Sequence, residues 1–296
     1  MPYAGELAAL TTAFCWVGST LFFEAAGRRV GSLSLNLTRL LSASLYLALY
    51  GLVTHGSAFP VNAPGPAWTW LGLSGLVGFT FGDMCLFRAY LVVGPRLSTL
   101  LMALAPPIAA LLGWLVLGEA LTPGNLAGMA VTLAGVGWVV LEGHDGPERL
   151  PPGHRLKGVL LGVGGALGQG GGLVLSKLGM GDLNAFEATQ IRALAGAAGF
   201  ALVYVALGWW PRFFQSLKDV RALGLSSAGA FFGPFLGVSL SLYSIQHAHV
   251  GVAATIMALV PVLILPAVIF LHHERVSWRA ALGALVAFAG VAMLFA

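Results

Sequence analysis

Charge is what this chain has least of. Asp, Glu, Lys and Arg make up 9% of its 296 residues. A soluble domain of this size carries about a quarter. So little charge cannot cover a water-facing surface, which excludes a soluble globular fold. Cysteine is also scarce: Cys15 and Cys85 both lie inside apolar runs, as small core residues and not as a disulfide or metal site. The formal charge of +4 is spread over loops, so no basic patch for nucleic acid forms. No Gly-x-x-x-x-Gly-Lys-Ser/Thr loop occurs, which argues against direct ATP use. The N-terminus lacks the basic region and cleavage site of a signal peptide, and the first apolar run is long enough to remain as a span.

What is present is apolar and small. Apolar residues make up 58% of the chain, in nearly uninterrupted runs. Runs of roughly 20 residues suit helices, whereas barrel strands alternate over about 10. The 41 glycines fit helices packed backbone to backbone in lipid. The expected fold is an all-α integral membrane protein of ten transmembrane helices. The spans are read at about 6–26, 34–54, 67–89, 97–117, 124–141, 158–178, 185–207, 222–243, 250–271 and 278–296. Turn chemistry separates them, including Gly27-Arg28-Arg29, Gly94-Pro95 and Thr122-Pro123-Gly124.

The chain also repeats itself. Met102-Ala103-Leu104-Ala105-Pro106 recurs as Met257-Ala258-Leu259-Val260-Pro261, and Glu119 falls on Glu274 at the same offset. At a slightly smaller offset Gly5 falls on Gly158 and Arg39 on Arg192. The Phe231–Phe235 stretch aligns roughly with Phe79 to Asp83. This gives a first five-helix repeat over 1–141, a polar linker over 142–157 and a second repeat over 158–296. A unit of five spans leaves the bilayer opposite to where it entered, so its copy must be inverted, around a central cavity. Inverted repeats are the architecture of alternating-access transporters. A single chain that contains both repeats can work as a monomer.

Ionisable groups inside a bilayer are costly and are functional candidates. Asp83 in the third span could bind a substrate ammonium or a coupling proton, or pair with Arg39. Arg39 and Arg192 suit a substrate carboxylate, or tie helices to neighbouring carbonyls. Glu24 and Lys177 hold matching positions and could pair. Pro106 and Pro261 should kink their helices at equivalent points of the pathway. Phe79, Trp16, Gln169 and Tyr243 complete the pathway candidates. Glu119 and Glu274 sit at short turns, where each carboxylate caps the helix that follows; these two are structural. No catalytic residue, metal site or cofactor is expected. His272-His273-Glu274 resembles a metal cluster only superficially, because Leu117-Gly118-Glu119 in the other repeat has no histidine.

These features resemble the drug/metabolite transporter superfamily, in particular its EamA-like members. The carrying motif is a Pro early in the fourth span of each half and a Gly-Glu step before the fifth: Pro106 with Gly118-Glu119, and Pro261 with His273-Glu274. His273 departs from the pattern, where Gly usually stands. Arg39 and Arg192 also resemble the family. The resemblance implies transport of small organic metabolites, often amino-acid export. Other members exchange sugar phosphates or nucleotide sugars. Those anions need several cavity cations, so that alternative is less favoured here. A membrane-embedded lipid-modifying enzyme is the alternative of a different class.

The expected setting is a multi-pass protein of the inner or plasma membrane. Its partners are the bilayer and a small-molecule substrate, driven by the substrate gradient or by proton exchange. Ten spans put both termini on one side. The loops after odd-numbered spans hold most basic residues, from Arg28 and Arg29 to Arg275 and Arg279. The positive-inside rule then places both termini outside. The family resemblance implies the reverse.

Overall fold

In lipid a backbone amide has no water to bond, so an apolar chain satisfies its amides within helices. The computed structural model describes residues 3–142, 152–264 and 277–294, as helices joined by short turns. Helix α1 (Ala4–Val30) turns at Gly31 into α2 (Ser32–His55). There follow α3 (Gly65–Gly75), a π-helical segment (Leu76–Gly82), α4 (Asp83–Met102), α5 (Ala105–Leu112), a second π-segment (Gly113–Leu117) and α6 (Pro123–Glu142). The second half has α7 (Pro152–Met180), α8 (Ala185–Leu207), a short α9 (Trp210–Ser216) and α10 (Val220–Ala230). A third π-segment (Phe231–Gly237) leads into α11 (Val238–His247), α12 (Val250–Met257) and α13 (Val260–Leu263); α14 (Trp278–Leu294) is last.

Among the described residues six helical stretches are long and apolar enough to cross a membrane: Ala4–Val30, Ser32–His55, Gly65–Ala89, Leu156–Met180, Ala185–Leu207 and Val220–His247. Three shorter apolar helices are Ala105–Leu117, Val250–Leu263 and Ala281–Leu294.

The π-segments Leu76–Gly82 and Phe231–Gly237 are related by the same offset that relates Pro106 to Pro261. The sequence alignment of Phe231 with Phe79 is therefore out of register. Phe231 corresponds to Leu76, and Pro234 to Phe79. The cause in the second copy is plain: Pro234 lacks the N–H that an α-helix needs there, so the hydrogen bonds slip by one residue.

A second matched interruption falls at Ala103–Leu104 and at Ala258–Leu259, two and three residues ahead of Pro106 and Pro261. Proline has no N–H to bond the carbonyl four residues back, at Met102 and Met257, so the helix breaks ahead of the ring. The break expected at Gly94-Pro95 is not seen. α4 runs through it and stops at Met102, where two consecutive prolines, Pro106 and Pro107, lie just ahead.

Glycine sets how closely the halves approach. Helix α1 and the α10–α11 rod are antiparallel: Gly5 abuts the end of α11, and Arg29 at the other end meets Asp219 before α10. The α3–α4 rod and α7 are antiparallel in the same way. A Cβ on Gly168 would lie 2.4 Å from Gly82 Cα, one on Gly172 3.2 Å from Gly78 Cα, and one on Gly179 3.0 Å from Leu71 N. The equivalent crossing pairs Gly237 with Trp16 and Gly233 with Ser19. α6 and α14 close a third antiparallel pair, in which a Cβ on Gly290 would come within 2.3 Å of Thr132 N. Large buried side chains such as Phe200, Tyr204, Leu40 and Ile256 fill the space between.

Candidate functional site

Two arginines and one aspartate meet inside the bundle. Arg39 comes from the second turn of α2, Arg192 from the second turn of α8, and Asp83 from the start of α4, just after the first π-segment. Asp83 is 4% exposed and forms an ion pair with Arg39 through Oδ2. Arg192 is 3% exposed and lies within electrostatic reach of Asp83. Its guanidinium carbon stands 5.0 Å from the Phe79 ring centroid, and Arg39 stands 5.5 Å from that of Phe23. The Nε atoms of both arginines are buried without a hydrogen-bond partner. The cluster therefore holds two positive charges against one negative. Gly75 makes it possible, because a Cβ there would lie 2.3 Å from the Arg192 carbonyl oxygen.

A second polar site joins the halves near one end of the bundle. Gly118, at φ +70°, reverses the chain after the second π-segment and turns Glu119 inward. Glu119 Oε2 accepts the Val250 N–H at 2.8 Å, at the start of α12. Its Oε1 lies 2.6 Å from Lys177 Nζ, which also donates to the Ala248 carbonyl at 2.8 Å. His249 Nδ1 stands 3.8 Å from Glu119 Oε2. This corrects two expectations. Glu119 caps a helix of the other half, not the one that follows it. The start of α6 is already served by Thr122, whose Oγ1 accepts the Asn125 N–H at 3.1 Å. Nor do Glu24 and Lys177 meet: Glu24 pairs with Arg28, one turn along the exposed end of α1. Glu274, with His272 and His273, lies outside the described residues.

Beside Lys177 opens a cavity of about 760 Å³. Asn184, Phe186, Ser239, Tyr243 and His247 share its wall with Lys177. The Tyr243 and His247 rings stack at 4.2 Å, and Phe186 stacks on Tyr50 at 4.4 Å. Ser239 is fully buried, with no partner for its hydroxyl.

Of the sequence candidates, the structure brings Asp83, Arg39, Arg192 and Phe79 together and puts Tyr243 in the cavity wall. Trp16 packs against Gly237 of the third π-segment, and Gln169 is half-buried on α7, outside this cavity wall. Pro106 and Pro261 mark the matched kinks. The sequence reading missed the contact of Lys177 with Glu119. No local pattern carries it, because the two residues meet only through tertiary packing.

A bundle whose halves pack through antiparallel helix pairs, with matched helix interruptions and buried charge, has the features of a membrane transport protein. The chain belongs to the EamA-like transporter family, whose model matches residues 3–141 and again 156–296. A crystal structure titled only as that of a protein has the same fold, with a TM-score of 0.74. It covers 99% of this chain and 96% of its own, at 21% sequence identity. None of the curated proteins matches the sequence. The family makes the chain a multi-pass membrane transporter of small molecules.

Proposed function

We propose that this protein is a secondary transporter that exports amino acids or related small metabolites by alternating access. Ten spans in two inverted repeats rock about the Arg39–Asp83–Arg192 cluster. One observation carries the reading: unbalanced buried charge sits beside helix interruptions that recur at equivalent places in both halves. Buried charge of this kind is expensive in a bilayer and is retained where it serves a solute. Broken helices are where such transporters bind their cargo. A zwitterion suits the cluster, with its carboxylate at the arginines and its ammonium at Asp83. A sugar-phosphate exchanger fits less well, because one of the two arginines is already held by Asp83.

The termini are placed outside the inner or plasma membrane by the excess of Lys and Arg on the opposite face. Arg29 and Asp219 support this grouping. They join the α1–α2 turn to the α9–α10 turn at 2.8 Å, so two arginine-bearing loops share a face.

The test is counterflow of radiolabelled amino acids in liposomes, wild type against Asp83→Asn. Saturable exchange that the folded variant lacks supports the reading. Exchange that survives unchanged removes Asp83 from the pathway. No exchange of any amino acid sinks amino-acid export.

A further inference from the structure

The geometry points to a carboxylate-binding vestibule in the cavity beside Lys177, separate from the buried arginine cluster. The inference rests on the transporter reading for its role as an entry point. Its chemistry stands on the cavity itself.

Lys177 is the cationic residue on the cavity wall, which also carries the Asp182 carboxylate. An ammonium has three hydrogens. The Ala248 carbonyl takes one of them at 2.8 Å, and the Glu119 carboxylate pairs with the charge at 2.6 Å. The side chain of Lys177 is 24% exposed, which leaves its ammonium open to a ligand. Ser239 supplies an independent sign. Its hydroxyl is fully buried on the same wall and lacks a partner, which is costly for a polar group that nothing meets. A carboxylate has two oxygens, enough for an ammonium and a hydroxyl together. The stacked Tyr243–His247 pair and Phe186 give the body of the ligand a flat apolar surface. At about 760 Å³ the cavity is the size of an ordinary small-molecule site. Its ligand class is a small organic carboxylate.

The position suits an entry point. Ala185 and Phe186 line the cavity, and Arg192 lies further along the same helix. Six residues of helix span about 9 Å. A carboxylate that leaves Lys177 therefore has a second cation within reach, one or two turns deeper.

The experiment is direct binding to the purified full-length protein in detergent, using radiolabelled L-leucine, L-phenylalanine and L-glutamate. Each is then competed with its own acid and with its α-amide. The expected result is that at least one acid binds and its amide competes at least tenfold more weakly. Lys177→Gln should weaken binding at least tenfold, and Ser239→Ala several-fold with Glu119 and Lys177 left in place. The inference is overturned if acid and amide compete equally, if both variants bind like wild type, or if none of the three acids binds. Should Lys177→Gln fail to fold, the amide comparison and Ser239→Ala decide. Counterflow in liposomes separates the two readings. Exchange and binding that Lys177→Gln and Ser239→Ala both leave unchanged sink the vestibule and leave the transporter. Carboxylate-selective binding that Lys177→Gln weakens, with no exchange, does the opposite.

Discussion

Glu119 of the first half holds the N-terminus of a helix in the second: its Oε2 accepts the Val250 N–H at 2.8 Å. The first N–H groups of a helix have no partner within it, and a carboxylate there also meets the positive end of the helix dipole. Lys177 completes the grip from α7. Three segments far apart in sequence are thus tied at one side chain, at the end of the bundle where Gly5 touches Ala248. If the halves rock, this contact must open or turn in each cycle.

Glu119→Ala removes the cap and leaves Lys177 without its carboxylate. A lost cap costs about 1 kcal/mol, and breaking a pair that is only partly buried adds one or two more. The expected outcome is a clear fall in melting temperature in detergent, with Glu119→Gln intermediate because its amide oxygen can still accept from Val250. A melting temperature equal to wild type for Glu119→Ala would show that the contact holds nothing together.

The central cluster has an asymmetry that stability measurements can read. Asp83 is the only anion of the three groups, so Asp83→Asn leaves two buried guanidinium groups facing each other without compensation. Arg39→Gln leaves Asp83 with Arg192 still in electrostatic reach. Breaking a buried pair costs about 3–5 kcal/mol. Asp83→Asn should therefore destabilise more than Arg39→Gln, and the double variant less than the sum of the two. Equal losses from the single variants would mean that Arg192 does not sense Asp83.

The all-helical membrane fold with two repeats was legible because it is written in short-range patterns: apolar runs of span length, prolines at matched positions, and a repeated Met-Ala-Leu-x-Pro. The pairing of Asp83 with Arg39 was also open to inference, since an intramembrane carboxylate needs a cation and few exist. The rest was not legible, for physical reasons. The π-segment at Leu76–Gly82 contains no proline, so only its partner at Phe231–Gly237 advertises itself through Pro234. Lys177 and Glu119 meet through packing that no sequence offset encodes. The glycines gave the composition of close packing without saying which helix each one faces.

That last point makes opposite predictions for two glycines. Gly168 lies where α7 crosses the α3–α4 rod, and an added Cβ would sit 2.4 Å from Gly82 Cα and 2.9 Å from the Val77 carbonyl oxygen. Both are backbone atoms and cannot swing aside. Gly168→Ala should cost about 1–3 kcal/mol or more and lower transport with it. Gly224 is in the interior of α10, and nothing lies within 4 Å of its would-be Cβ. Gly224→Ala should stabilise by about 0.5–1 kcal/mol, because alanine has less backbone freedom to lose. Melting curves of the two variants give the signs. A stabilised Gly168→Ala would show that the helices are further apart than described.

Asp219 gives the protein a dependence on acid at its arginine-rich face. Its carboxylate accepts the Ala222 N–H at 3.0 Å as the cap of α10 and takes the Arg29 Nε–H at 2.8 Å. The Ala222 bond first, and then Arg29, hold the Asp219 carboxyl below the usual carboxylate range. A depressed value in the folded state stabilises the fold where the carboxylate is ionised. The contribution is complete above about pH 4, the ordinary aspartate value, and fades as the pH drops through the lower folded one. It is modest, since the group faces solvent and salt screens it. Asparagine keeps an acceptor for Ala222 but carries no charge to lose. Wild type should therefore melt higher than Asp219→Asn at pH 7, and the gap should close as the pH falls below 4. The gap at pH 7 should also shrink in high salt. A constant difference between pH 7 and pH 3 would assign the effect to shape and not to charge. It would then leave Arg29 free to move apart from the α9–α10 turn as the two halves shift.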